Sequence, residues 1–269
     1  MTPDDLSSRL ADTRFRDVRW LASTGSTNSD AMALARGGAP EGTVVVADHQ
    51  SAGRGRRGRV WQAPPGASLL VSVLLRPPAS AAGLVGMAAG LAMAEAVDVV
   101  SHGAVSAELK WPNDLVVGDR KLAGILAEAD WPAGTTASGG FRQPAAGERL
   151  AVVVGVGINV VWPADLPEDL AEIATALNHL TPTPVDRADL LVDYLIALDR
   201  RYVQPPGALL EAWRARSATL GRPVRVDLGG EDVDGVAVDV TDEGHLVVET
   251  PDGRLRTLAT GDVVHLRPA

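Results

Sequence analysis

Residues 43–75 read TVVVADHQSAGRGRRGRVWQAPPGASLLVSVLL and decide the fold of this chain. Both ends of the stretch, residues 43–47 and 68–75, are short runs of apolar and mostly branched side chains, which predicts two buried strands. The residues between them show no hydrophobic periodicity and include several glycines, so they predict a loop. Loops of this length inside a compact domain are usually functional or disordered. The stretch therefore predicts a sheet that carries a long functional loop between two of its strands.

The middle of that loop, GRGRRGR at residues 53–59, is strongly cationic. It holds four arginines, Arg54, Arg56, Arg57 and Arg59, on a chain whose 25 basic and 34 acidic residues give a net charge of −9. Guanidinium groups donate in pairs to carboxylate or phosphate, and glycine lets the backbone approach a ligand closely. The motif predicts a local anion site, with a solvated basic loop or a nucleic-acid patch as the alternative. Because the like charges are uncompensated, we expect the loop to be flexible until an anion orders it.

The composition excludes several classes of protein. With 46% hydrophobic and 22% charged residues over 269 positions, the chain is globular and long enough for one or two domains. It has no cysteine, which excludes disulfide scaffolds, thiolate metal sites and cysteine nucleophiles. The first ten residues are acidic and polar, unlike a secretory signal. The most apolar stretch, residues 83–100, is interrupted by Glu95 and Asp98 and predicts a buried helix. We expect a cytoplasmic protein.

The remaining pattern predicts an α+β fold with a mixed, largely antiparallel sheet flanked by helices. Helices are predicted at residues 26–36, 83–100, 187–202 and 208–219, and further strands at residues 109–117, 121–128 and 150–161. The last two strands are expected to pair. Residues 131–148 between them predict an exposed hairpin extension.

The sequence changes character after residue 219. Apolar and polar residues alternate in short runs that are separated by Gly-Gly, Glu-Gly and Asp-Gly turn signals, which predicts about five antiparallel strands that close a small β-barrel. About fifty residues are marginal for independent stability, so we expect this part to pack on the larger one and to reach its active site. The predicted domains are residues 1–219 and residues 220–269.

Lysine is scarce, and its two positions are therefore informative. The chain has 23 arginines but only two lysines, Lys110 and Lys121. This suggests that both are sites where the compact ammonium of lysine cannot be replaced by the planar guanidinium of arginine. Lys110 opens the turn KWPND, in which Asp114 is either a carboxylate for phosphate-bound Mg²⁺ or a structural cap. Lys121 begins the apolar strand RKLAGIL. Its ammonium either points inward, where it needs an anion, or points to water.

Two weaker motifs complete the set. The strand segment GVGIN at residues 155–159 has glycine at alternate positions, so one face is bare and has room for a flat ligand. It lacks the strand, turn and helix context of a dinucleotide fingerprint, so a Rossmann site is rejected. STN at residues 26–28 stands at a helix start and either caps the helix or binds a small polar group.

In this order and spacing, STN, QSAGRGRRGRVW, KWPND, RKLAGIL and GVGIN resemble biotin protein ligase, also called biotin–acetyl-CoA-carboxylase ligase. The resemblance implies a catalytic domain like that of class II aminoacyl-tRNA synthetases and an SH3-like C-terminal barrel. It also implies a two-step reaction that uses ATP and Mg²⁺. Biotin becomes biotinyl-5′-AMP, and a lysine of a biotin carboxyl carrier protein then takes the biotinyl group.

The resemblance also implies roles for individual residues. The biotin pocket would contain Ser26, Thr27, Asn28, Gln50, Gly53, Arg54, Gly55, Arg56, Lys121 and Gly124. ATP would be bound by Arg56, Arg59, Trp61, Lys110, Asn113 and Asn159. Lys121 and Arg56 would be catalytic, and Asp114 would hold the metal. The implied partner is the biotin carboxyl carrier domain of an acyl-CoA or pyruvate carboxylase.

Some family members carry an N-terminal DNA-binding segment. Only about twenty residues precede the first motif here, so we expect no DNA binding, no membrane association, and a monomer or weak homodimer. Two rivals stay open. A lipoate or octanoate ligase-like acyltransferase would not be expected to carry both GRGRRGR and KWPND. A nucleic-acid-binding protein that uses the arginine loop is disfavoured by the acidic net charge and by the lack of interleaved aromatic residues.

Overall fold

The computed structural model describes residues 3–130, 147–164 and 168–266. The helices in these ranges are α1 Pro3–Arg9, α2 Thr27–Arg36, α3 Val85–Val100, α4 Glu168–Ala171, α5 Leu177–Leu180, α6 Arg187–Tyr202 and α7 Pro206–Ala215. The strands are β1 Val18–Leu21, β2 Val44–Ala47, β3 Ser68–Leu75, β4 Glu108–Lys110, β5 Asp114–Val117, β6 Arg120–Asp130, β7 Ala151–Asn159, β8 Pro223–Asp227, β9 Asp232–Val240, β10 Leu246–Glu249, β11 Leu255–Leu258 and β12 Asp262–His265. Most of the hairpin extension predicted for residues 131–148 lies outside the described residues.

The larger sheet has seven strands in the order β1-β2-β3-β7-β6-β5-β4. Within the described ranges only β1 and β2 pair in parallel, and the chain passes through α2 between them. All other neighbours are antiparallel, including the predicted pair β6 and β7. The predicted mixed and largely antiparallel sheet is therefore confirmed, whereas α1 and β1 were not predicted.

Helices cover both faces of this sheet. Alternation along β2 divides its side chains between two buried clusters, with Val44 and Val46 in one and Val45 in the other. The second cluster is completed by Ala31 and Ala35 of α2. On the opposite face, α3 packs against α6 and against β6 and β7. The loop between β2 and β3 is thus fixed at both ends by strands in the middle of a covered sheet.

Helix α3 is the most apolar of the long helices in the described part of the chain. Together with the 3₁₀ turn before it, it forms a stretch, Ala79–Val100, that could cross a bilayer by length and composition alone. Most of that stretch is buried inside the protein, and Met93, Ala94 and Val97 are fully enclosed. The burial is that of a core helix, as the sequence predicts.

The smaller sheet has five antiparallel strands in the order β11-β10-β9-β8-β12. In the described part of the chain, the outer strands β11 and β12 are not paired with each other, so the predicted small barrel is open along this seam. Its buried residues, among them Val224 and Leu246, belong to the same continuous apolar cluster as α3 and the large sheet. The smaller sheet therefore packs on the larger part, as expected.

The last predicted helix is displaced. Helix α7 begins at Pro206, which suits the first helical position because its missing N–H needs no partner there. The residues after Ala215 are not helical. Leu109 of β4 donates to the carbonyl of Arg216 and accepts from the amide of Ala218. The end of the predicted 208–219 helix therefore pairs with an edge strand, which satisfies backbone groups of β4.

Candidate functional site

A cavity of 140 Å³ lies where α2, the arginine loop and strands β6 and β7 meet. It is lined by these residues predicted from the sequence: Ser26, Thr27, Asn28, Gln50, Arg54, Gly55, Arg56, Arg59, Trp61, Asn113, Lys121 and Gly124. Motifs that are up to about a hundred positions apart in the chain therefore share one enclosure. It opens beside a larger cleft of 1240 Å³, which the smaller sheet borders through Gly244 and Thr260.

The start of α2 forms the polar wall of the small cavity. The amide and hydroxyl groups of Thr27 both donate to Oε1 of Gln50, at 2.7 and 3.0 Å. Asn28 accepts from the hydroxyl of Ser72 at 2.6 Å and donates to Oε2 of Glu128 at 2.8 Å. Ser26 makes no side-chain capping bond, so the capping hypothesis for this residue is wrong. Buried, satisfied polar side chains of this kind hold a fixed orientation toward a ligand.

Side chains of the protein cover part of the bare face of β7. A Cβ atom on Gly155 would lie 2.0 Å from Oδ1 of Asn28, and one on Gly157 would lie 2.7 Å from Cε2 of Trp61. Gly157 therefore accommodates the indole of Trp61, and Gly155 accommodates the side chain of Asn28. Both glycines also line the 140 Å³ cavity, so the predicted room for a ligand against β7 stays a prediction. The indole nitrogen is buried and has no hydrogen-bond partner among the residues that the structure describes, so it can donate to a ligand.

Lys121 faces this cavity because of a β-bulge. In the β5–β6 pairing, Leu115 lies opposite Ala123 but Val116 lies opposite Lys121, so Leu122 is the extra residue. The irregularity brings the ammonium beside Gly124, where a Cβ would lie 3.2 Å from Nζ. Nζ is 2.7 Å from Oδ1 of Asp114 and 5.7 Å from the centroid of the Trp61 ring. The inward orientation is thus the one the structure adopts, and a carboxylate supplies the anion.

The arginine loop is not uncompensated, which corrects the expectation from sequence. Nη2 of Arg54 donates to Glu128 at 2.7 Å. Nη2 of Arg59 donates to Asp262 at 2.7 Å, and Nη1 of Arg57 lies 3.3 Å from the same carboxylate. Acidic residues remote in sequence therefore hold a loop that would otherwise repel itself.

Arg56 differs from the other loop arginines in its partners. Its guanidinium donates to neutral oxygens, Oγ1 of Thr260 at 2.8 Å and Oδ1 of Asn113 at 3.3 Å. Burial lowers the pKa of Arg56, and Asp262 and Asp114 oppose that shift. A partly buried guanidinium that pairs with no carboxylate in the described part of the chain is available to an incoming anion.

The KWPND turn borders the cavity through Asn113, which donates to the carbonyl of Ile125 at 2.9 Å. Lys110 lies opposite Asp114 in the β4–β5 pair. Among the described residues Lys110 has no ion-pair partner, and burial lowers its pKa. Neither Lys110 nor Asp114 lines the two cavities directly, and Asp114 is connected to the smaller one through its ion pair with Lys121.

Asn159, which is predicted to bind ATP, also lies outside both cavities. It is buried, accepts from the hydroxyl of Ser68 at 3.2 Å and donates to the carbonyl of Thr175 at 3.0 Å. Its observed bonds tie the end of β7 to β3 and to the segment after α4.

A metal would have few protein ligands here. In the part of the chain that the structure describes, no group of three or more acidic or histidine side chains could hold a metal ion. Asp114 is a single carboxylate, paired with Lys121. One carboxylate fits Mg²⁺ when phosphate oxygens and water complete its octahedron. The donor set therefore fits a metal that arrives with a nucleotide.

The residues missed from sequence are Ser72, Glu128, Thr260 and Asp262. Glu128 lies on β6 seven positions after Lys121, and Asp262 begins β12 of the smaller sheet. No local pattern distinguishes either carboxylate from the other acidic residues of the chain. Only the packing of the smaller sheet against the loop brings Asp262 into the site.

His265, near Lys110, gives a prediction about pH. Burial, with Lys110 and Arg222 as further causes, lowers the pKa of His265 to about 4. Between about pH 6.5 and about pH 4, His265 is therefore protonated in the unfolded chain and neutral in the folded chain. The free energy of unfolding consequently falls as the pH falls. We expect the wild type to lose about 1 kcal/mol more unfolding free energy between pH 7 and pH 5 than His265→Gln, after allowance for solvent screening. Urea unfolding at both pH values measures this. Equal losses in the two proteins would contradict it.

The arrangement has known relatives. Residues 20–136 match the biotin/lipoate A/B protein ligase family, and residues 219–266 match the biotin protein ligase C terminal domain. A biotin–[acetyl-CoA-carboxylase] ligase of Mycobacterium tuberculosis is 40% identical over 262 residues, which cover 94% of this chain and 90% of that protein. A biotin–[acetyl-CoA-carboxylase] ligase of Paracoccus denitrificans is 34% identical, over 87% of this chain and 95% of that protein.

The fold agrees with these sequence matches. A solved structure of biotin protein ligase from Aquifex aeolicus in complex with biotin and ATP superposes with a TM-score of 0.73 at 25% identity, and it covers 94% of this chain and 100% of that one. The sequence relatives extend through both sheets, and the structural match does the same. The chain therefore belongs to the biotin protein ligase family.

Proposed function

We propose that the protein activates biotin with ATP and transfers the biotinyl group to a lysine of a biotin carboxyl carrier domain. One observation carries the proposal: the guanidinium of Arg56 and the ammonium of Lys121 line the same 140 Å³ cavity. Joining a carboxylate to a phosphate brings two anions together, so the barrier is largely electrostatic and positional. Two cations that converge on one enclosure address that barrier directly.

In the first step, a biotin carboxylate oxygen attacks the α-phosphorus of ATP, and pyrophosphate leaves. The polar wall of Ser26, Thr27, Asn28 and Gln50, with the backbone of Gly53 and Gly55 and the side chain of Arg54, would bind biotin. Lys121 would hold the carboxylate and the α-phosphate together, and Arg56 would stabilise the charge that develops. Ligand oxygens would take the place of Asp114 beside Nζ of Lys121.

The nucleotide would lie toward the larger cleft. Arg56, Arg59 and Asn113, which line that cleft, would face its phosphates, with Lys110 at the rim. Trp61 would offer its ring and its indole N–H from the smaller cavity. Mg²⁺, when bound with ATP, would neutralise phosphate charge, and Asp114 would be its protein ligand. For Asn159, an indirect role is the one compatible with its bonds, through the position of β7.

In the second step, the carrier lysine attacks the acyl carbon of biotinyl-5′-AMP, an amide forms, and AMP leaves. AMP is a good leaving group, so no protein nucleophile is needed, in accord with a chain that has no cysteine. Biotin protein ligases act on biotin carboxyl carrier domains of carboxylases. For this chain we propose the carrier of an acyl-CoA or pyruvate carboxylase, a cytoplasmic location, and a monomer or weak homodimer.

The test uses purified protein, ATP, Mg²⁺, labelled biotin and a purified carrier domain. We expect label on the carrier and none on a carrier whose acceptor lysine is replaced by arginine. A tenfold excess of unlabelled biotin should lower the signal about tenfold by dilution of the label, and the same excess of lipoate should leave the signal unchanged. Labelling that lipoate suppresses and biotin does not would support the acyltransferase alternative and overturn the proposal.

A further inference from the structure

Ser72 is a polar residue in the middle of a buried strand. Strand β3 reads SLLVSVLL, and all eight of its residues are buried. Ser72 has no exposed surface, and its backbone pairs with Val45 on one side and with Gly155 on the other. A hydroxyl group in such a position costs free energy unless it is hydrogen-bonded. Its partners therefore show what a serine adds at this point of the sheet.

The hydroxyl group of Ser72 contacts the start of α2. It donates to Oδ1 of Asn28 at 2.6 Å, and its oxygen lies 2.7 Å from Oγ1 of Thr27. A hydroxyl group has one proton, and an amide oxygen can only accept, so the Ser72 proton goes to Asn28. The hydroxyl proton of Thr27 then lies between Oγ of Ser72 and Oε1 of Gln50, which is 3.0 Å from Oγ1. Ser72 thereby connects three residues of the polar wall in one network.

The side chain of Asn28 is held at both of its polar atoms. Its Nδ2 donates to the carbonyl of Leu126 at 3.1 Å and to Oε2 of Glu128 at 2.8 Å. Among the described residues, Ser72 is the one that donates to its Oδ1. Asn28 and Thr27 line the 140 Å³ cavity, whereas Ser72 stands behind them and does not line it. Ser72 therefore fixes the orientation of a cavity residue from outside the cavity.

We propose that Ser72 is a positioning residue for biotin, which acts mainly through Asn28. The inference rests on the proposed function, in which the polar wall binds biotin. Strand β3 lies between β2 and β7 inside the seven-stranded sheet, and support from such a rigid element keeps binding groups in a precise geometry. Without the hydroxyl group, Oδ1 of Asn28 is buried without its donor, which favours a rotated side chain. Biotin would then meet a wall that is no longer complementary to it.

Calorimetric titration of the ligand-free protein with biotin tests this role. We expect Ser72→Ala to raise the Kd for biotin about five- to thirtyfold, because a buried polar group is left unsatisfied. The matched control is Ser68→Ala. Ser68 lies on the same face of β3 and is equally buried, but it is bonded to Asn159 and Trp162 and not to α2. Ser68→Ala should bind biotin with wild-type affinity.

A double-mutant cycle tests the route through Asn28. In the Asn28→Ala background, Ser72→Ala should weaken biotin binding by less than about twofold, because two residues that act through one contact are not additive. An equal loss of affinity in both backgrounds would mean that Ser72 supports the fold independently of Asn28, and it would overturn the positioning role.

Kinetics separate positioning from general support of the fold. For adenylate formation, Ser72→Ala should raise the KM for biotin by about the same factor as the Kd, with kcat changed less than about twofold. Ser72→Cys keeps a similar volume and a weak donor, so it should bind biotin more tightly than Ser72→Ala, and it replaces that variant if alanine impairs folding. A fall in kcat at unchanged KM, or no recovery in Ser72→Cys, would overturn the role.

The titration also distinguishes the role of Ser72 from the proposed function, since it needs neither ATP nor a carrier. If the wild type binds biotin and Ser72→Ala binds it equally well, the role of Ser72 is overturned and the proposed function stands. If the wild type does not bind biotin, both are overturned.

Discussion

Replacing Lys121 by alanine is expected to slow biotinyl-adenylate formation by about 10²- to 10³-fold, the effect typical of removing one preorganised group that stabilises transition-state charge. The ammonium is the cation at the bulged end of β6, and it lies beside Gly124 and the Trp61 ring. The one other lysine of the sequence, Lys110, lines neither cavity, so it does not replace the lost ammonium. Release of pyrophosphate from ATP in the presence of biotin measures the step.

The fold should survive this change. The backbone of Lys121 donates to Ile173 at 2.8 Å and accepts from Thr175 at 2.9 Å, and alanine retains both bonds. Lys121→Arg should also be slow, because a longer planar group meets the indole and the β6 backbone. Arg120→Ala, at the exposed neighbouring position, is the matched control and should be close to wild type. Near-normal pyrophosphate release by Lys121→Ala would refute the assigned role.

Gly155→Ala is expected to lower the unfolding free energy by about 1–3 kcal/mol and to weaken biotin binding strongly. The new Cβ would lie 2.0 Å from Oδ1 of Asn28. Asn28 cannot give way at low cost, since it is held by Ser72, Glu128 and the carbonyl of Leu126. Thermal unfolding and calorimetric titration with biotin measure the two effects.

Gly207→Ala is the control for this substitution. Gly207 lies in α7, and a Cβ there would meet nothing within 4 Å. Alanine is a better helix former than glycine, so this variant should be as stable as the wild type or slightly more so and should bind biotin normally. Wild-type biotin affinity in Gly155→Ala would mean that Asn28 is not part of the binding wall.

The sequence predicts the large sheet well because its strands are long and their burial follows simple rules. β3 occupies the predicted residues 68–75, and α6 the predicted residues 187–202. β1 was missed because its four residues, VRWL, include two half-exposed and two exposed side chains. Its membership of the sheet depends on pairing with β2 across α2, which no local pattern reveals. The prediction of a helix up to residue 219 was wrong for a similar reason. The residues after Ala215 pair with β4, and this tertiary pairing overrides helix propensity.

The candidate site likewise combines features that the sequence predicts with features that only the fold reveals. Lys121 was singled out because lysine is rare in this chain, yet strict alternation along β6 would put it on the face of Ala123 and Ile125. The bulge at Leu122 turns it to the cavity, and a bulge cannot be derived from RKLAGIL alone. The arginine loop was recognised by its composition, but its counter-charges, Glu128 and Asp262, come from distant parts of the chain. Composition identifies a charged motif, whereas only the fold identifies what neutralises it.

The apolar cluster that passes without interruption from α3 into the smaller sheet bears on how this protein is assembled. Trp111 links the two parts directly, with its amide bonded to Thr219 and its indole N–H to the carbonyl of Gly244. Because buried residues of both sheets belong to one cluster, the folding of one part supports the folding of the other. Replacing the smaller sheet by that of a relative would then require matched changes on α3. The two parts are therefore expected to evolve together.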